Sequence, residues 1–531
     1  MTRAVQTRDR DESETAVQTK LVEALKRRRE ATIADLVTDS ALPKNRVEEG
    51  MRLILHEYVG HLKATQSGEL LYSFPTGMRN QVRGFGPSFR RAMRTARSGA
   101  ARVLSFLFKI WIAVMLVGYF ALFVALFILA LVASVAGSMA GRGEGGRDTR
   151  SRGGGIGGFF LVSRIIDLLF IRILLNGGAR RDRGEKGRPL HLAVFGFVFG
   201  EKDQTKEWEE RERTTILRYL RARKGVITLE ELVRISGRSR EEAERLLTSL
   251  LIEYEGEPLV TDRGTIIYSF PELLRTRAEA LKAERGAAAA LPECPLVPFS
   301  DNKPKTNRWI AFFNAFNLVF GGYFLAFTGS YLAGALSAAG FGAFYVFVGR
   351  LIEQLLQVSP VPVLGIGLGL VPAAFSVIFF AVTLIRRAAL ERKNEEIRKL
   401  NTRRDVYGAV MARPEAADPA VIVSERAERE KLEAQLESTG RRLERPLLDV
   451  AVERPPRKRE RQNPRDLPGF VAKEIDELAS AKRAEIEKLE SGALRYRFAE
   501  LAEEIQDVEK YRSGVDVKQY DVGKTVFDSA E

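Results

Sequence analysis

Cysteine and histidine are scarce in this chain of 531 residues, which contains one cysteine, Cys294, and three histidines. A single thiol excludes a disulfide within the chain, and it cannot supply the ligands of a conventional multi-cysteine zinc or iron–sulfur site. The opening residues, MTRAVQTRDRDESE, are polar and lack the apolar core of a secretory signal peptide. We therefore predict no metal and no cofactor within one chain. We expect residues 1–16 to be disordered and the N-terminal part of the chain that follows them to stay in the compartment of synthesis.

Catalytic patterns are also missing. His56 and His61 flank a glutamate as in the pattern His-Glu-x-x-His, but they are five residues apart and do not share a helix face. The stretch from Gly141 to Gly146 fits Gly-x-Gly-x-x-Gly only in form, because it follows a membrane-length apolar segment and no helix start follows it. No nucleophile, base and orienting group form a recognisable set. The sequence predicts a protein without enzymatic activity.

What the sequence does contain is a duplication. Residues 21–75 reappear as residues 217–271, without a gap and at a constant offset of 196. Both copies end in Tyr-Ser-Phe-Pro, and the aligned pairs include Ser40 with Ser236 and Gly68 with Gly264. Repeats of this kind indicate that one small module is used at least twice.

Each copy has the pattern of three helices followed by a β-hairpin, which is the order of a winged helix. Apolar residues at helical spacing indicate helices over 19–29, 32–36 and 43–58 in the first copy and over 212–223, 228–235 and 239–254 in the second. Alternating residues around a glycine turn indicate the hairpins. We predict winged-helix-like modules at residues 17–77 and 207–273.

The hairpin aromatics Tyr72, Phe74, Tyr268 and Phe270 are expected to pack in the module cores. Near the C-terminus, residues 492–501 repeat the hairpin pattern, with Tyr496 and Phe498 as the aromatics, after a long helical pattern. One interpretation is a third, degenerate module at 401–501, which contains a basic, proline-rich loop at 454–468 and precedes a tail at 502–531. The alternative is a helical tail with a chance match.

Two apolar blocks indicate a multi-pass membrane protein. The first, at 103–176, contains a clear transmembrane helix at 110–135 and a second apolar segment at 156–175. That segment carries Arg164 and Asp167 at helical spacing, and their pairing on one face would lower the cost of a crossing. An amphipathic helix on the membrane surface is the alternative, and it requires another crossing near 190–200 or leaves the second module outside.

The second block, at 309–385, shows three apolar peaks at 309–328, 331–348 and 361–385. Basic residues flank both ends of each block, which predicts an even number of crossings per block with the modules on the cytoplasmic side. A broken or re-entrant segment around Pro362 and Gly365 would restore that parity. Cytoplasmic anchoring also accounts for much of the formal charge of +14 without a nucleic-acid partner.

The third helices of the modules are the elements that winged helices often place in the major groove of DNA. Lys44 and Arg46 in the first copy, with Arg238 and Arg240 in the second, are the cations at which DNA binding should be tested. Glutamates follow closely in both helices and would be repelled by phosphates. We therefore favour protein binding, or packing of the modules on one another, over nucleic-acid binding.

Four short motifs carry a resemblance to a known family: Phe195 to Gly200, Tyr268 to Pro271, Asn314 to Gly321, and Gly523 to Asp528. With the repeat and the two apolar blocks, the chain resembles a family of multi-pass proteins from cyanobacteria and plant chloroplasts. The resemblance implies an architecture and no settled activity. Some plant members carry an iron–sulfur biogenesis label, for which the lone Cys294 offers no ligand set.

Together these patterns predict a mainly α-helical, multi-pass protein of the bacterial cytoplasmic membrane, with small β wings and two or three winged-helix-like modules facing the cytoplasm. Its expected partners are the lipid bilayer and either a protein or another copy of itself. The expected function is a non-enzymatic interaction or scaffold protein. A membrane-tethered transcription regulator and a small-molecule transporter with cytoplasmic regulatory domains are the alternatives.

Overall fold

A computed structural model describes residues 16–28, 30–58, 60–74, 85–140, 188–200, 205–277, 293–438, 463–490 and 494–529 of the chain. This described part is mainly helical and contains small antiparallel sheets, which confirms the predicted fold class at that level. The segment 156–175, with Arg164 and Asp167, lies outside the described residues, as do most of the loop at 454–468 and residues 1–15.

The helices follow one another in this order: α1 (16–27), α2 (Ile33–Ser40), α3 (Lys44–Glu57), α4 (Phe85–Ala140), α5 (Leu190–Phe199), α6 (Thr205–Ala222), α7 (Leu229–Ser236), α8 (Arg240–Glu253), α9 (Pro304–Leu332), α10 (Phe341–Leu356), α11 (Pro360–Ala412), α12 (Pro419–Ser438), α13 (Leu467–Ala481) and α14 (Ala499–Gly514). The strands are β1 (Glu30–Ala31), β2 (His61–Thr65), β3 (Leu70–Ser73), β4 (Val226–Ile227), β5 (Glu257–Val260), β6 (Ile266–Ser269), β7 (Glu485–Lys488), β8 (Leu494–Arg497) and β9 (Thr525–Asp528).

We call residues 16–74 the N-terminal unit and residues 205–277 the central unit. The second helix of each unit begins with a capping box. Thr32 and Asp35 form the box of α2, and Thr228 and Glu231 form the box of α7. The strand order is β1-β3-β2 in the N-terminal unit, where β9 adds a fourth strand beside β2, and β4-β6-β5 in the central unit. The two units therefore have the same order of helices and strands.

The C-terminal unit consists of the end of α11 with α12, α13, β7 and β8. Its hairpin lies against the chain that follows α11, since the backbone N–H of Phe498 donates to the carbonyl of Pro414 at 2.7 Å. The central unit has a comparable contact after its hairpin, because the N–H of Phe270 donates to the carbonyl of Gly225 at 2.8 Å. Val406, Tyr407 and Val410 bury one face of α11 in this unit.

One hydrophobic core runs through the three units. The hairpin aromatics lie in it or against it: Tyr72, Phe74, Phe270, Tyr496 and Phe498 are buried, and Tyr268 is half-buried against the same cluster. The five buried side chains contribute to this shared core, which agrees with their expected packing role.

Among the described residues, three helices are long and apolar enough to cross a membrane: Val103–Val135 within α4, the whole of α9, and α11. The predicted helix boundaries in the second block need correction. The helix expected at 331–348 is instead α10, which begins at Phe341, because Gly334 and Gly340 adopt positive φ angles of 69° and 59° and separate it from α9. With 16 residues, α10 is shorter than the roughly 20 residues of a crossing.

The break expected near Gly365 is also absent from the described chain. Residues Val363–Leu370 form a π-helical stretch inside α11, so the helix continues from Pro360 to Ala412. The region near 190–200 forms α5, whose 10 residues extend for about 15 Å and are too short to cross. Arg386 on α11 donates to the carbonyl of Phe197 at 2.8 Å and connects α5 to α11.

Candidate functional site: the interfaces between the units

A buried ion pair joins the N-terminal and central units. Asp35 belongs to the capping box at the start of α2. Its Oδ1 atom accepts a hydrogen bond of 2.8 Å from Arg221 on α6. The two side chains are 6% and 0% exposed, and Thr276 donates to the same oxygen at 2.7 Å. A carboxylate and a guanidinium so far from water require each other, so this contact fixes how the two units pack.

Electrostatics keep Asp35 ionised in this setting. Burial raises the pKa of Asp35, but the charges of Arg221 and Arg28 and the hydrogen bond from Thr276 outweigh burial, so that its pKa lies below the ordinary 3.8. The contact is therefore between two charged groups at neutral pH.

The first residue of α3 extends the same interface. Lys44 Nζ donates to Glu255 at 2.6 Å and to Glu272 at 3.0 Å, and both carboxylates belong to the central unit. Burial lowers the pKa of Lys44, but its hydrogen bonds to Glu255 and Glu272 outweigh burial and raise it above the ordinary value. A cation predicted as a candidate DNA contact thus faces another part of the same chain.

The other candidate DNA contacts are paired inside their own units. Arg238 donates to Glu212 at 2.9 Å, and Arg240 donates to Glu230 at 3.2 Å. Arg46 pairs with Glu49 at 3.6 Å and is partly exposed. Each of these four cations therefore has a carboxylate partner within the chain.

The central and C-terminal units meet where α7 ends. Gly237 has a φ of 70° and lies directly on α11, where a Cβ atom would come within 2.4 Å of the carbonyl oxygen of Leu400. Arg403 donates to the carbonyl of Gly237 at 2.9 Å and holds Glu474 with two hydrogen bonds of 2.6 Å. This glycine allows the backbones to approach closely at the interface.

The C-terminal segment, residues 499–529, contacts the central unit and then the N-terminal unit. After the C-terminal unit, α14 crosses the central unit, where Arg512 donates to Glu231 at 2.5 Å and to the carbonyl of Val226 at 2.8 Å. Asp521 then forms a β-bridge with Thr276, and β9 pairs antiparallel with β2 of the N-terminal unit. The motif from Gly523 to Asp528 therefore has a structural role as a sheet strand.

Two asparagines on α11 hold the segment that leads to the apolar helix α9. Asn401 exchanges two hydrogen bonds of 2.9 Å with the backbone of Cys294, and Asn394 does the same with Val297 at 2.9 and 3.0 Å. The Cys294 side chain is buried, and burial raises the pKa of its thiol to about 11. A protonated, covered thiol is a poor nucleophile.

Polar side chains also lie between the long apolar helices. Asn314 donates to the carbonyl of Ser376 at 3.1 Å, and Asn317 donates to the carbonyl of Leu116 at 2.7 Å. Both asparagines are completely buried on α9. They connect α9 to α11 and to α4, which accounts for them as contacts between helices.

Within the described chain, no group of three or more histidine, cysteine, aspartate or glutamate residues is arranged to hold a metal. A small cavity of about 100 Å³ lies between the central unit and α14, lined by Arg512, Glu231, Met411 and Leu501 among others. It is well below the 300–1,000 Å³ typical of ligand pockets.

The sequence patterns did not reveal Asp35 or Arg221 as interface residues. Arg221 follows the core residue Leu220 on α6, and a cation beside an apolar helix face is the one available signal. Its partner lies 186 residues away, and local patterns carry no information about such pairings.

Comparisons with known proteins give one relative at low identity. An uncharacterised chloroplastic protein of Arabidopsis thaliana is 23% identical over 410 residues, which cover 75% of this chain and 73% of that protein. No family model and no solved structure matches the chain. The relative supports the resemblance to proteins of the plant and cyanobacterial type, and the three apolar helices are compatible with membrane association.

Proposed function

We propose that the chain is a non-enzymatic, membrane-anchored interaction protein. In this proposal the three units are winged-helix-like modules that bind one another and hold a protein partner at the cytoplasmic face of a membrane. The shared order of helix, strand, two helices and hairpin in the N-terminal and central units supports the winged-helix assignment. The three apolar helices α4, α9 and α11 support the anchoring.

The proposal depends on one observation: the cations at the start of the third helices form ion pairs with carboxylates of the same chain. A DNA-binding winged helix needs free cations at the start of this helix to contact phosphates. Here Lys44 lies between Glu255 and Glu272, and Arg240 contacts Glu230 and Glu244. Carboxylates already occupy the places where phosphates would bind, which favours protein interaction over DNA binding.

Photo-crosslinking in cells tests the proposal. A crosslinking residue is placed at Arg46 or at Arg240, near the start of the third helices, and a control probe is placed at Arg245, whose side chain is 81% exposed on α8. We expect covalent adducts with protein from the first two positions and fewer from the control.

Recovered DNA would overturn the proposal and support a membrane-bound regulator. In that case the DNA affinity of the purified chain should fall steeply with salt and be lost in Lys44→Glu or Arg240→Glu. Adducts confined to the chain itself would restrict the interaction to the modules.

A further inference from the structure

The C-terminal strand β9 is bound to β2 mainly through its backbone. Ser529 N–H donates to the carbonyl of Leu62 at 3.0 Å, Leu62 N–H donates to Ser529 Oγ at 2.9 Å, and Gln66 N–H donates to the carbonyl of Lys524 at 3.0 Å. Val526 and Phe527 on β9 remain 69% and 63% exposed. The strand therefore resembles a peptide added to a sheet edge more than an element buried in a core.

In the central unit, the edge strand that corresponds to β2 is β5, and a proline in β5 removes one of the N–H groups that an added strand would need. Leu62 in β2 pairs with Tyr72, and Pro258 in β5 takes the same register opposite Tyr268. The N–H of Leu62 points away from β3 toward β9, so the nitrogen at Pro258 points outward in the same way. Proline has no N–H to donate, and proline on an edge strand prevents the addition of another strand.

The edge strand β2 also differs in charge from β5 and β7, the edge strands of the other two hairpins. Lys63 Nζ lies 3.0 Å from Asp528 of β9 and 3.1 Å from Glu30. The aligned residue in β5 is Leu259, and in β7 it is Glu487, whose carboxylate would repel that of Asp528. Among the three described hairpins, only β2 combines an outward N–H at this register with a cation.

We propose that the edge of β2 is a docking site for an extended peptide strand that carries a carboxylate opposite Lys63, and that β9 fills this site in cis as an exchangeable ligand. The site is independent of the protein partner proposed above, because it depends only on the pairing of β2 with β9. A strand of the same chemistry from another chain competes with β9 for the edge.

The test uses the full chain and a fluorescent peptide with the sequence of residues 521–531. Phe527→Pro releases the chain's own strand, since Phe527 lies opposite Ala64 at the next hydrogen-bonded position after the pair of Ser529 and Leu62. We expect this variant to bind the peptide at least about 10-fold more tightly than the unmodified chain, because its edge is free. A peptide with Asp528→Lys should bind about 10-fold more weakly.

Adding Leu62→Pro to Phe527→Pro should abolish binding of the peptide. Proline is compatible with the fold at this position, as Pro258 shows at the same register of the central unit. Equal binding by Phe527→Pro and the unmodified chain would overturn the proposal. Retained binding in the double variant would overturn it as well.

Discussion

Asp35 and Arg221 join the first two units through a contact of 2.8 Å between a carboxylate and a guanidinium that are almost entirely buried. Asp35→Ala removes the carboxylate from a guanidinium that has no solvent exposure, and we expect the free energy of unfolding to fall by about 3 kcal/mol. Urea denaturation in detergent measures this. Glu241→Ala, which removes an exposed partner of Arg245, is the control and should change it by less than about 0.5 kcal/mol.

The same carboxylate predicts a loss of stability in acid. Burial raises the pKa of Asp35, but Arg221 and Arg28 hold it below 3.8, so ionised Asp35 stabilises the fold above its unfolded pKa. This contribution should disappear as pH falls from about 4 through the lower folded pKa. Unfolding curves collected across that range should show a smaller acid dependence in Asp35→Asn. An unchanged slope would contradict the assignment.

Gly237 predicts a specific weakness between the central and C-terminal units. Gly237→Ala places a Cβ atom against the carbonyl of Leu400 in addition to straining a residue with a φ of 70°. Gly264→Ala is the matched control, because its φ is 88° and nothing lies within 4 Å of the added atom. We expect Gly237→Ala to be less stable than Gly264→Ala by about 2 kcal/mol, measured by thermal unfolding.

Cys294 reports on the segment that leads to α9, because it is the one thiol in the chain. Asn401→Ala removes both hydrogen bonds to the Cys294 backbone, and the rate of thiol alkylation should rise about 10-fold as the segment loosens. Asn463→Ala removes a hydrogen bond to Glu430 and should leave the rate unchanged. Similar rates in both variants would show that Asn401 does not hold this segment.

Two adjacent glycines on α9 test how closely α9 packs on α11. A Cβ at Gly321 would lie 2.8 Å from the backbone nitrogen of Ala373, whereas a Cβ at Gly322 would meet nothing within 4 Å. Gly321→Ala should therefore lower the melting temperature in detergent by several degrees, and Gly322→Ala should leave it within about 1 °C. Equal melting temperatures would contradict the close packing of α9 on α11.

Sequence patterns predicted the features that depend on neighbouring residues. The second helix of each copy begins near the expected position because Thr32 and Thr228 cap it locally, whereas α6 begins seven residues before the predicted start at 212. Hydropathy likewise indicated the apolar helices, although it placed the start of α10 wrongly, since positive φ angles at Gly334 and Gly340 leave no trace in an apolar profile. Glycine is compatible with helix or turn in such a stretch.

The interfaces depend on pairings that no local pattern contains. Asp35 meets Arg221 across 186 residues, and Leu62 meets Ser529 across 467 residues. A strand of four residues such as β9 has too few positions to show a reliable alternation. The cations of the third helices could be identified from the sequence, but their carboxylate partners could not, because those follow from how the units pack.

One helix, α11, contributes both a membrane-length segment and the first helix of the C-terminal unit, with Val406, Tyr407 and Val410 in the unit's core. The helix is continuous between the two parts, so a tilt of its apolar end would be transmitted to the unit. A tilt of about 10° would displace a point about 40 Å along such a helix by roughly 7 Å. In the proposed membrane-anchored protein, a change in the tilt of α11 would therefore change the orientation of the C-terminal unit.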